Sequence, residues 1–238
     1  MGELKAATKD KLMHVSTATL TTALFKHGLR NTFIQGPVRL NPGKNMVGVA
    51  YTLRYIPARE DLDQLSSFAN RENPQRKGVE ECPDDAVFMI DSRGDASAAS
   101  AGCILATRLQ ERGCLGIVTD GGFRDTPEIS MLKMPAYHSR PSAPTNLTKH
   151  HAVALNDPIA CGGVAVFPGD VIVGDNEGVV CIPFHMADAI AEEAEEMTAF
   201  EDFVLEKVQM GASTFGLYPP TDPETHKQYS KWRISNGR

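Results

Sequence analysis

The chain has 238 residues, 42% of them hydrophobic and 23% charged, a composition typical of a globular protein with room for one large or two small domains. Its net charge of −6 argues against nucleic acid as a partner, because phosphate binding needs a basic face. No apolar run approaches the roughly 20 residues that span a bilayer, and the N-terminal segment lacks the apolar core of a signal peptide. We therefore predict a cytoplasmic protein without a membrane or nucleic-acid partner.

The five cysteines are widely spaced and show no CxxC or Cys/His ligand spacing. They are Cys82, Cys103, Cys114, Cys161 and Cys181. An odd number without a ligand pattern indicates reduced thiols rather than a disulfide scaffold or a zinc module.

The N-terminal third begins with a helical stretch and continues into strands. Residues 3–27 are predicted to be helical with a break near Ser16, where Ser and Thr provide a helix cap. Residues 36–40 and 45–56 have the β-branched and aromatic content of strands. Residues 58–84 are polar, and we predict a helix followed by a loop.

The middle of the chain predicts a parallel βαβ unit. Residues 86–92 and 115–120 are continuous apolar runs typical of buried strands. Between them, residues 101–113 form an amphipathic helix that ends at Gly113. A strand, a helix and a second strand at this spacing favour parallel pairing of the two strands.

The C-terminal half is predicted to contain short strands and one long helix. We expect a short helix at 127–132, a loop at 139–157, a β-meander of strands at 159–167, 170–175 and 178–183, and an acidic helix at 185–210. Residues 1–210 would form a single domain. Residues 211–238 would form a tail that packs on this domain or on a neighbouring subunit.

Arg124 and Asp125 are the strongest candidates for a ligand site. They follow a predicted strand and the pair Gly121-Gly122, which lets the backbone approach a ligand closely. The guanidinium of arginine matches a carboxylate, and the carboxylate of aspartate is a hard ligand for Mg²⁺ or Mn²⁺. The pattern indicates a site for an anionic ligand and a divalent metal; the alternative is a surface turn with an ion pair.

Three segments, at residues 16–24, 94–125 and 168–183, together resemble the RraA-like family. That family includes the 4-hydroxy-4-methyl-2-oxoglutarate and 4-carboxy-4-hydroxy-2-oxoadipate aldolases, and also non-enzymatic regulators of ribonuclease. The resemblance implies an α/β fold, specifically a β/β/α sandwich of the swivelling-domain type with a long C-terminal helix. It also implies a homotrimer or a dimer of trimers with active sites at subunit boundaries.

The resemblance further implies roles for individual residues. Asp125 would bind Mg²⁺ or Mn²⁺, and Arg124 would hold the pyruvyl part of a 2-oxo acid substrate. Glu201 would reach the metal-bound waters from a neighbouring subunit, although a solvated helix face also explains Glu195 and Glu201. The substrate carboxylate would bind backbone amides of the segment before the middle helix, namely Ala101, Gly102, Cys103 and Ile104.

The chain departs from the family pattern at Cys103. Family aldolases have an acidic residue at this position, twenty-one residues before the arginine. Cysteine is a weak hydrogen-bond donor and a mostly neutral thiol near pH 7. Cys103 is therefore either a small filler at a helix start or a catalytic thiolate whose pKa is lowered by its surroundings. Thr22 likewise replaces an aspartate found in many members.

Other polar residues have weaker claims to a catalytic role. Asp91, Arg93 and Asp95 are expected in a local turn, and Asp170 is expected in a tight turn between strands. Loop histidines could supply a replacement acid or base. These are His138, His150 and His151.

The predicted function is that of a metal-dependent lyase that cleaves a 4-hydroxy-2-oxo acid to release pyruvate, with oxaloacetate decarboxylation as a side activity. Two alternatives stay open. One is a non-catalytic regulator of ribonuclease, and the other is a dehydratase or tautomerase of a sugar-derived 2-oxo acid.

Overall fold

The computed structural model describes residues 2–238 and has a mixed α/β architecture. The α-helices are α1 (Ala6–Met13), α2 (Thr17–Lys26), α3 (Pro74–Glu81), α4 (Cys103–Glu111), α5 (Thr126–Ser130), α6 (Ala187–Gln209) and α7 (Pro223–Asn236). The strands are β1 (Val38–Arg39), β2 (Met46–Pro57), β3 (Ala86–Asp91), β4 (Ala99–Ala101), β5 (Gly116–Thr119), β6 (Gly122–Phe123), β7 (Ala136–His138), β8 (Arg140–Pro141), β9 (His150–Leu155), β10 (Ile159–Cys161), β11 (Val164–Val166), β12 (Val171–Gly174) and β13 (Val179–Ile182). Short 3-10 helices span Leu65–Ala69, Asn146–Thr148 and Phe184–Met186.

The N-terminal helical stretch breaks where the sequence predicts. Ser16 is extended and its hydroxyl accepts a hydrogen bond from the Thr19 amide, which satisfies one of the free N–H groups at the start of α2. Leu20 and Leu24 of α2 are fully buried against the apolar face of α6 and the sheet.

One large sheet has the strand order β1-β7-β5-β3-β2-β12-β13, and β9 pairs with β2. Its centre is parallel, because β3 pairs in parallel with both β2 and β5, and β5 pairs in parallel with β7. The predicted βαβ unit is confirmed as β3-α4-β5, with Val87 opposite Gly116 and Ile90 opposite Thr119. Every residue of β3 and β5 is buried, as expected of strands covered on both faces.

The alternation of side chains along the strands divides the structure into layers. Tyr51, Phe88 and Ile117 face a cluster under α3, α4 and α5, and the same face of β12 packs against α1, α2 and α6. Met89 and Val118 point the other way, toward the hairpin formed by β10 and β11. Helices therefore cover one face of the large sheet and a small β-layer covers the other, which matches the predicted β/β/α order.

Three local predictions are wrong. Residues 139–157 were expected to form a loop but contain β9, whose inward side chains alternate with outward ones. Residues 58–84 carry their α-helix at the end, as α3, rather than at the start. The predicted meander consists instead of two hairpins in different sheets, β10-β11 and β12-β13, because the turn around Pro168-Gly169 sends the chain from one layer to the other.

The C-terminal segment contains a 14-residue helix, α7, that packs on α6. Tyr229 and Trp232 contact Phe203 of α6 through their rings, and the Trp232 indole donates a hydrogen bond to Glu206. Among residues 2–238, no helix offers the length of apolar side chains that crossing a lipid bilayer would need.

Candidate functional site

A small parallel sheet of β4, β6 and β8 gathers the candidate site residues. In the chain, β4 follows β3, β6 follows β5 and β8 follows β7. Because β3, β5 and β7 are parallel neighbours, their carboxyl ends lie at one edge of the large sheet. The segments that continue from them therefore meet there, which is where ligands commonly bind in parallel α/β sheets.

Arg124 and Asp125 follow β6 and stand beside the start of α4. The Arg124 amide donates a hydrogen bond of 3.1 Å to the Ala101 carbonyl, which fixes the pair against β4. Asp125 is the residue before α5 and has left-handed backbone angles, φ 56° and ψ 42°, which aspartate tolerates better than most residues. The Arg124 Nε atom lies 3.5 Å from the Asp125 Oδ2 atom.

Gly102 allows this close approach. A Cβ atom at residue 102 would lie 2.8 Å from Asp125 Oδ2 and 2.9 Å from Arg124 Cγ, distances that real Cβ contacts do not reach. The next amide, of Cys103, donates a 3.3 Å hydrogen bond to Asp125 Oδ2. The structure thus brings together Ala101, Gly102, Cys103, Arg124 and Asp125, all of which the sequence singles out.

The start of α4 faces this group; Gly102 supplies no side-chain cap, and the Cys103 amide already donates to Asp125. The first amides of a helix have no partner within the helix, and they carry the positive end of its dipole. A carboxylate is favoured at such a position. The exposed Ile104 side chain, at the first turn of α4, lines the same cleft.

The surroundings of Cys103 do not favour a thiolate. Desolvation, followed by the neighbouring Asp125 carboxylate, raises the pKa of the Cys103 thiol, since both disfavour a second negative charge. The helix start works in the opposite direction, through the Ile104 amide, but contributes less. A neutral thiol at residue 103 is therefore the species that this environment supports.

The cleft beside these residues has a volume of about 170 Å³. This is below the ~300–1,000 Å³ of sites for drug-sized ligands, so it suits a small metabolite rather than a nucleotide. Besides Arg124 and Asp125, its polar lining comes from Gln75, Arg76, Thr145 and Asn146, and among residues 2–238 Asp125 is its sole carboxylate. All four lie within residues 58–84 and 139–157, the segments from which the sequence predicts the pocket for the C4 substituent, although no motif marks them individually.

Glu201 lies elsewhere on the same chain. It is on α6, where its carboxylate accepts hydrogen bonds from Thr19 Oγ1 at 2.8 Å and Tyr218 Oη at 3.4 Å. It lines a different groove, between α2, α6 and the C-terminal segment, together with Thr22. Within one chain, Glu201 does not join Asp125. Glu195 pairs with Lys11 on the helix surface.

The histidines also lie outside the cleft. His138 is buried and stacks on Phe123, and burial lowers its pKa. His150 is buried and stacks on Tyr55, and burial likewise lowers its pKa. His151 pairs with Asp63 at 2.8 Å.

The remaining aspartates hold local turns. Asp91 accepts a hydrogen bond from the Arg93 amide, Asp95 from the Ser97 amide, and Asp170 from the Phe167 amide. These bonds are the turn roles that the sequence predicts for them.

Asp120 is a buried residue that positions the site and that the sequence analysis did not single out. Its carboxylate accepts hydrogen bonds from the amides of Ser92, Gly94 and Gly162. Burial raises its pKa above the ordinary value for aspartate, although the three amide bonds oppose this shift. Asp120 ties the end of β5 to the loop that leads from β3 into β4, and thereby supports the small sheet.

Comparisons with known proteins give the family and the fold of the chain. The model of the RraA-like family, described as Aldolase/RraA, matches residues 17–181. A protein of Halalkalibacterium halodurans, provisionally named 4-hydroxy-4-methyl-2-oxoglutarate aldolase, is 31% identical over 163 residues, which are 68% of this chain and 71% of that protein. Protein DlpA of Legionella pneumophila is matched over only 27% of its own length, and an uncharacterized protein of Methanocaldococcus jannaschii over 60%.

Solved structures show the same fold. An uncharacterized protein from Pseudomonas syringae superposes with a TM-score of 0.80 at 21% identity, over 92% of this chain and 96% of that chain. Streptomyces coelicolor RraAS2, described as an unusual member of the RNase ES inhibitor RraA protein family, superposes with a TM-score of 0.74 at 28% identity, over 85% of this chain and 98% of that chain. The family match, which covers more than half of the sequence, and the shared fold together establish that the chain belongs to the RraA-like (Aldolase/RraA) family.

Proposed function

We propose that the protein is a divalent-metal-dependent lyase that cleaves a 4-hydroxy-2-oxo acid and releases pyruvate. The observation that carries this proposal is the convergence of Arg124, Asp125 and the uncapped start of α4 on one small cleft. A relative that bears an aldolase name, at 31% identity, supports the same reaction class.

A single carboxylate ligand, Asp125, suits Mg²⁺ or Mn²⁺, because these ions keep most of their bound water molecules in protein sites. Asp125 is half-buried, and one of its carboxylate oxygens already faces Arg124 and the Cys103 amide. No group of three or more His, Cys, Asp or Glu side chains suited to a metal occurs within residues 2–238. Mg²⁺ commonly binds through one or two carboxylates and retains water, whereas Zn²⁺ needs three or four protein ligands. When bound, the ion would supply Lewis-acid polarisation of the 2-keto oxygen.

The residues of the cleft have separate tasks in this reaction. The guanidinium of Arg124 and the first-turn amides of α4 that Asp125 does not already hold bind the carboxylate of the 2-oxo acid, so that the substrate is oriented by charge-assisted hydrogen bonds. The C4 hydroxyl loses its proton, and its oxygen forms the carbonyl of the second product as the C3–C4 bond breaks. The electron pair of that bond forms the enolate of pyruvate. The positive charge of Arg124 and the amide dipoles stabilise that enolate before a proton adds at C3.

We assign the two proton transfers to water or to Glu201 of a neighbouring subunit. Asp125 is the sole carboxylate that lines the cleft among residues 2–238. The neighbouring Cys103 thiol has a raised pKa, which disfavours a thiolate base. The assignment of Glu201 requires that subunits associate as a homotrimer or a dimer of trimers. Oxaloacetate decarboxylation would use the same enolate and is the side activity we expect.

A regulator of ribonuclease is the second candidate, supported by the similarity to RraAS2. The two candidates differ in their need for a ligand. A lyase must bind a 2-oxo acid with a metal, whereas a regulator that acts through its surface has no such requirement.

Thermal unfolding with and without Mg²⁺ or Mn²⁺, in the presence of oxalate as an enolate mimic, tests the proposal. A ligand at a hundredfold excess over its Kd stabilises the native state by about 2.7 kcal/mol, which corresponds to roughly 5–10 °C in Tm for a chain of this size. We expect this shift only when metal and oxalate are both present.

Asp125→Asn should abolish the shift. Asparagine keeps the shape of the side chain and tolerates the left-handed backbone, so that only the charge is lost. The control, Glu111→Gln, removes an exposed acid at the far end of α4 and should retain the full shift. If wild-type protein shows no shift under any of these conditions, the lyase is excluded and the regulator is favoured. A positive result leads to a pyruvate-release assay with 4-hydroxy-4-methyl-2-oxoglutarate.

A further inference from the structure

Two polar groups of α3 lack partners at the cleft. The Oε1 atom of Gln75 and the Nε atom of Arg76 are buried, and neither has a hydrogen-bond partner among residues 2–238. Both residues line the cleft that Arg124 and Asp125 also line. Buried polar groups are nearly always hydrogen-bonded, so unpaired ones beside a cleft call for an explanation.

The orientation of the Gln75 amide is fixed by its surroundings. Its Nε2 atom donates a 2.7 Å hydrogen bond to the Ser100 carbonyl, which also accepts from the Tyr55 hydroxyl at 3.0 Å. An amide rotated by half a turn would place an oxygen against that carbonyl and lose the bond. The side chain is only 2% exposed, so its Oε1 acceptor has neither a protein donor nor bulk water.

Arg76 is a half-buried cation without an anion. Its guanidinium lies over the Phe68 ring, 4.5 Å from the ring centre, and the ion pairs within residues 2–238 do not include it. The other half-buried arginines without a carboxylate, Arg39 and Arg112, donate to backbone carbonyls, although the Nε atom of Arg112 is also buried without a partner. A guanidinium stays charged at any physiological pH, and partly burying it without a partner is costly.

The start of α3 holds both side chains toward the cleft. Asn73 caps the helix by accepting hydrogen bonds from the amides of Gln75 and Arg76, and Pro74 occupies the first helical position. The planar Phe68 ring restricts the orientation of the Arg76 guanidinium. A prepositioned planar fork is the geometry that binds a carboxylate through two hydrogen bonds.

We propose that Arg76 is a specificity-determining residue that binds a second carboxylate, at the end of the ligand away from its 2-oxo acid group. This inference rests on the proposed function, in which Arg124 and Asp125 hold the 2-oxo acid end. The carboxylates of the ligand have no hydrogen to donate, so the unpaired Oε1 of Gln75 would accept a hydrogen bond from the C4 hydroxyl. The site therefore selects 2-oxo dicarboxylates over 2-oxo monocarboxylates of equal length.

Calorimetric titration in saturating Mn²⁺ tests the proposal with three probes. 2-Oxoglutarate carries a carboxylate at each end, whereas 2-oxopentanoate has the same chain length and a single carboxylate. Oxalate is too short to reach Arg76 and contacts only the part of the cleft at Arg124 and Asp125. We expect wild-type protein to bind 2-oxoglutarate at least about tenfold more tightly than 2-oxopentanoate, the scale of one charge-assisted pair. Arg76→Gln should remove that preference and leave oxalate affinity unchanged.

Two further variants separate charge, geometry and folding. Arg76→Lys keeps the positive charge but loses the planar guanidinium that makes two hydrogen bonds. It should retain only part of the preference for 2-oxoglutarate over 2-oxopentanoate. Arg71→Gln removes an exposed arginine two residues before the Asn73 cap and should change nothing. The Tm of each unliganded variant shows whether it is folded.

The inference and the proposed function fail in different ways. Equal binding of 2-oxoglutarate and 2-oxopentanoate by wild-type protein, or an equal loss of all three ligands in Arg76→Gln, would overturn the inference and leave the proposed function standing. Absence of oxalate and 2-oxo acid binding in wild-type protein would overturn both.

Discussion

The residues of the cleft depend on one another through a few short contacts. Asp125 adopts a left-handed backbone, which places its carboxylate against the start of α4 rather than away from it. The Cys103 amide and the Arg124 side chain then fix that carboxylate from two sides. A residue that contributes no side chain, Gly102, makes this arrangement sterically feasible.

Gly102→Ala should therefore disable the site without unfolding the protein. The backbone at residue 102, with φ −127°, accepts alanine, but the new Cβ would force Asp125 and Arg124 to move. We expect oxalate affinity in the presence of Mn²⁺ to fall about tenfold or more, since misplacement by ~1 Å can cost up to roughly hundredfold in function. The Tm of the unliganded protein should change by only a few degrees.

Gly163→Ala is the matched control for this substitution. Gly163, in the β10-β11 hairpin, has φ 76° and open space around it. Alanine there should destabilise the fold by about 1–2 kcal/mol through backbone strain and leave oxalate affinity intact. Normal affinity in Gly102→Ala would show that Asp125 and Arg124 do not have to keep their present positions.

At the scale of elements, the site is assembled from the ends of parallel strands and the starts of two helices. β4, β6 and β8 bring the loops into one place, α4 presents its free amides, and α3 supplies Gln75 and Arg76. Helix starts are stabilised by their caps. α3 has one in Asn73, whereas the residue before α4 is Gly102, which supplies none, and the start of α4 faces the cleft.

Asn73→Ala should weaken ligand selection as well as the fold. Loss of the cap should cost about 1 kcal/mol and loosen the first turn of α3, which carries Gln75 and Arg76. We expect the affinity for 2-oxoglutarate to fall severalfold with oxalate affinity unchanged. Asp222→Ala removes the equivalent cap of α7 and should lower the Tm comparably with no effect on either ligand. The same loss of 2-oxoglutarate affinity in both variants would contradict a local role for α3.

Much of this arrangement could be predicted from the sequence, because its signals are local. The apolar runs of β3 and β5, the helix between them and Gly113 at its end define the βαβ unit, and Gly121 through Asp125 mark the ligand end. β9 was missed because two histidines and nearby prolines hide the alternation of its buried positions. Gln75 and Arg76 became candidates only in three dimensions, because an unpaired buried atom has no counterpart in a sequence pattern.

At the scale of the whole molecule, the cleft lacks a second acidic side chain from residues 2–238. Within residues 2–238, Asp125 is the sole carboxylate that lines the cleft, and Glu201 faces a different groove of its own chain. Apolar side chains remain exposed on α4 and just after α5, with Ile104 at 78% and Met131 at 84%. A neighbouring subunit seated there would cover these side chains and could supply the missing acid.

If Glu201 rather than water moves the protons, Asp125→Asn and Glu201→Gln are both inactive, and mixing them tests whether active sites are shared between subunits. Asp125→Asn chains keep Glu201, and Glu201→Gln chains keep Asp125. If each site takes Asp125 from one chain and Glu201 from the next, random reassembly in equal amounts restores about one site in four, as expected of a closed ring of identical chains. Pyruvate release would rise toward about a quarter of the wild-type rate. Light scattering should give a particle of three or six times the 25.8 kDa chain mass. A monomeric mass, or mixtures no more active than their separate components, would place all catalytic groups within one chain and remove Glu201 from the mechanism.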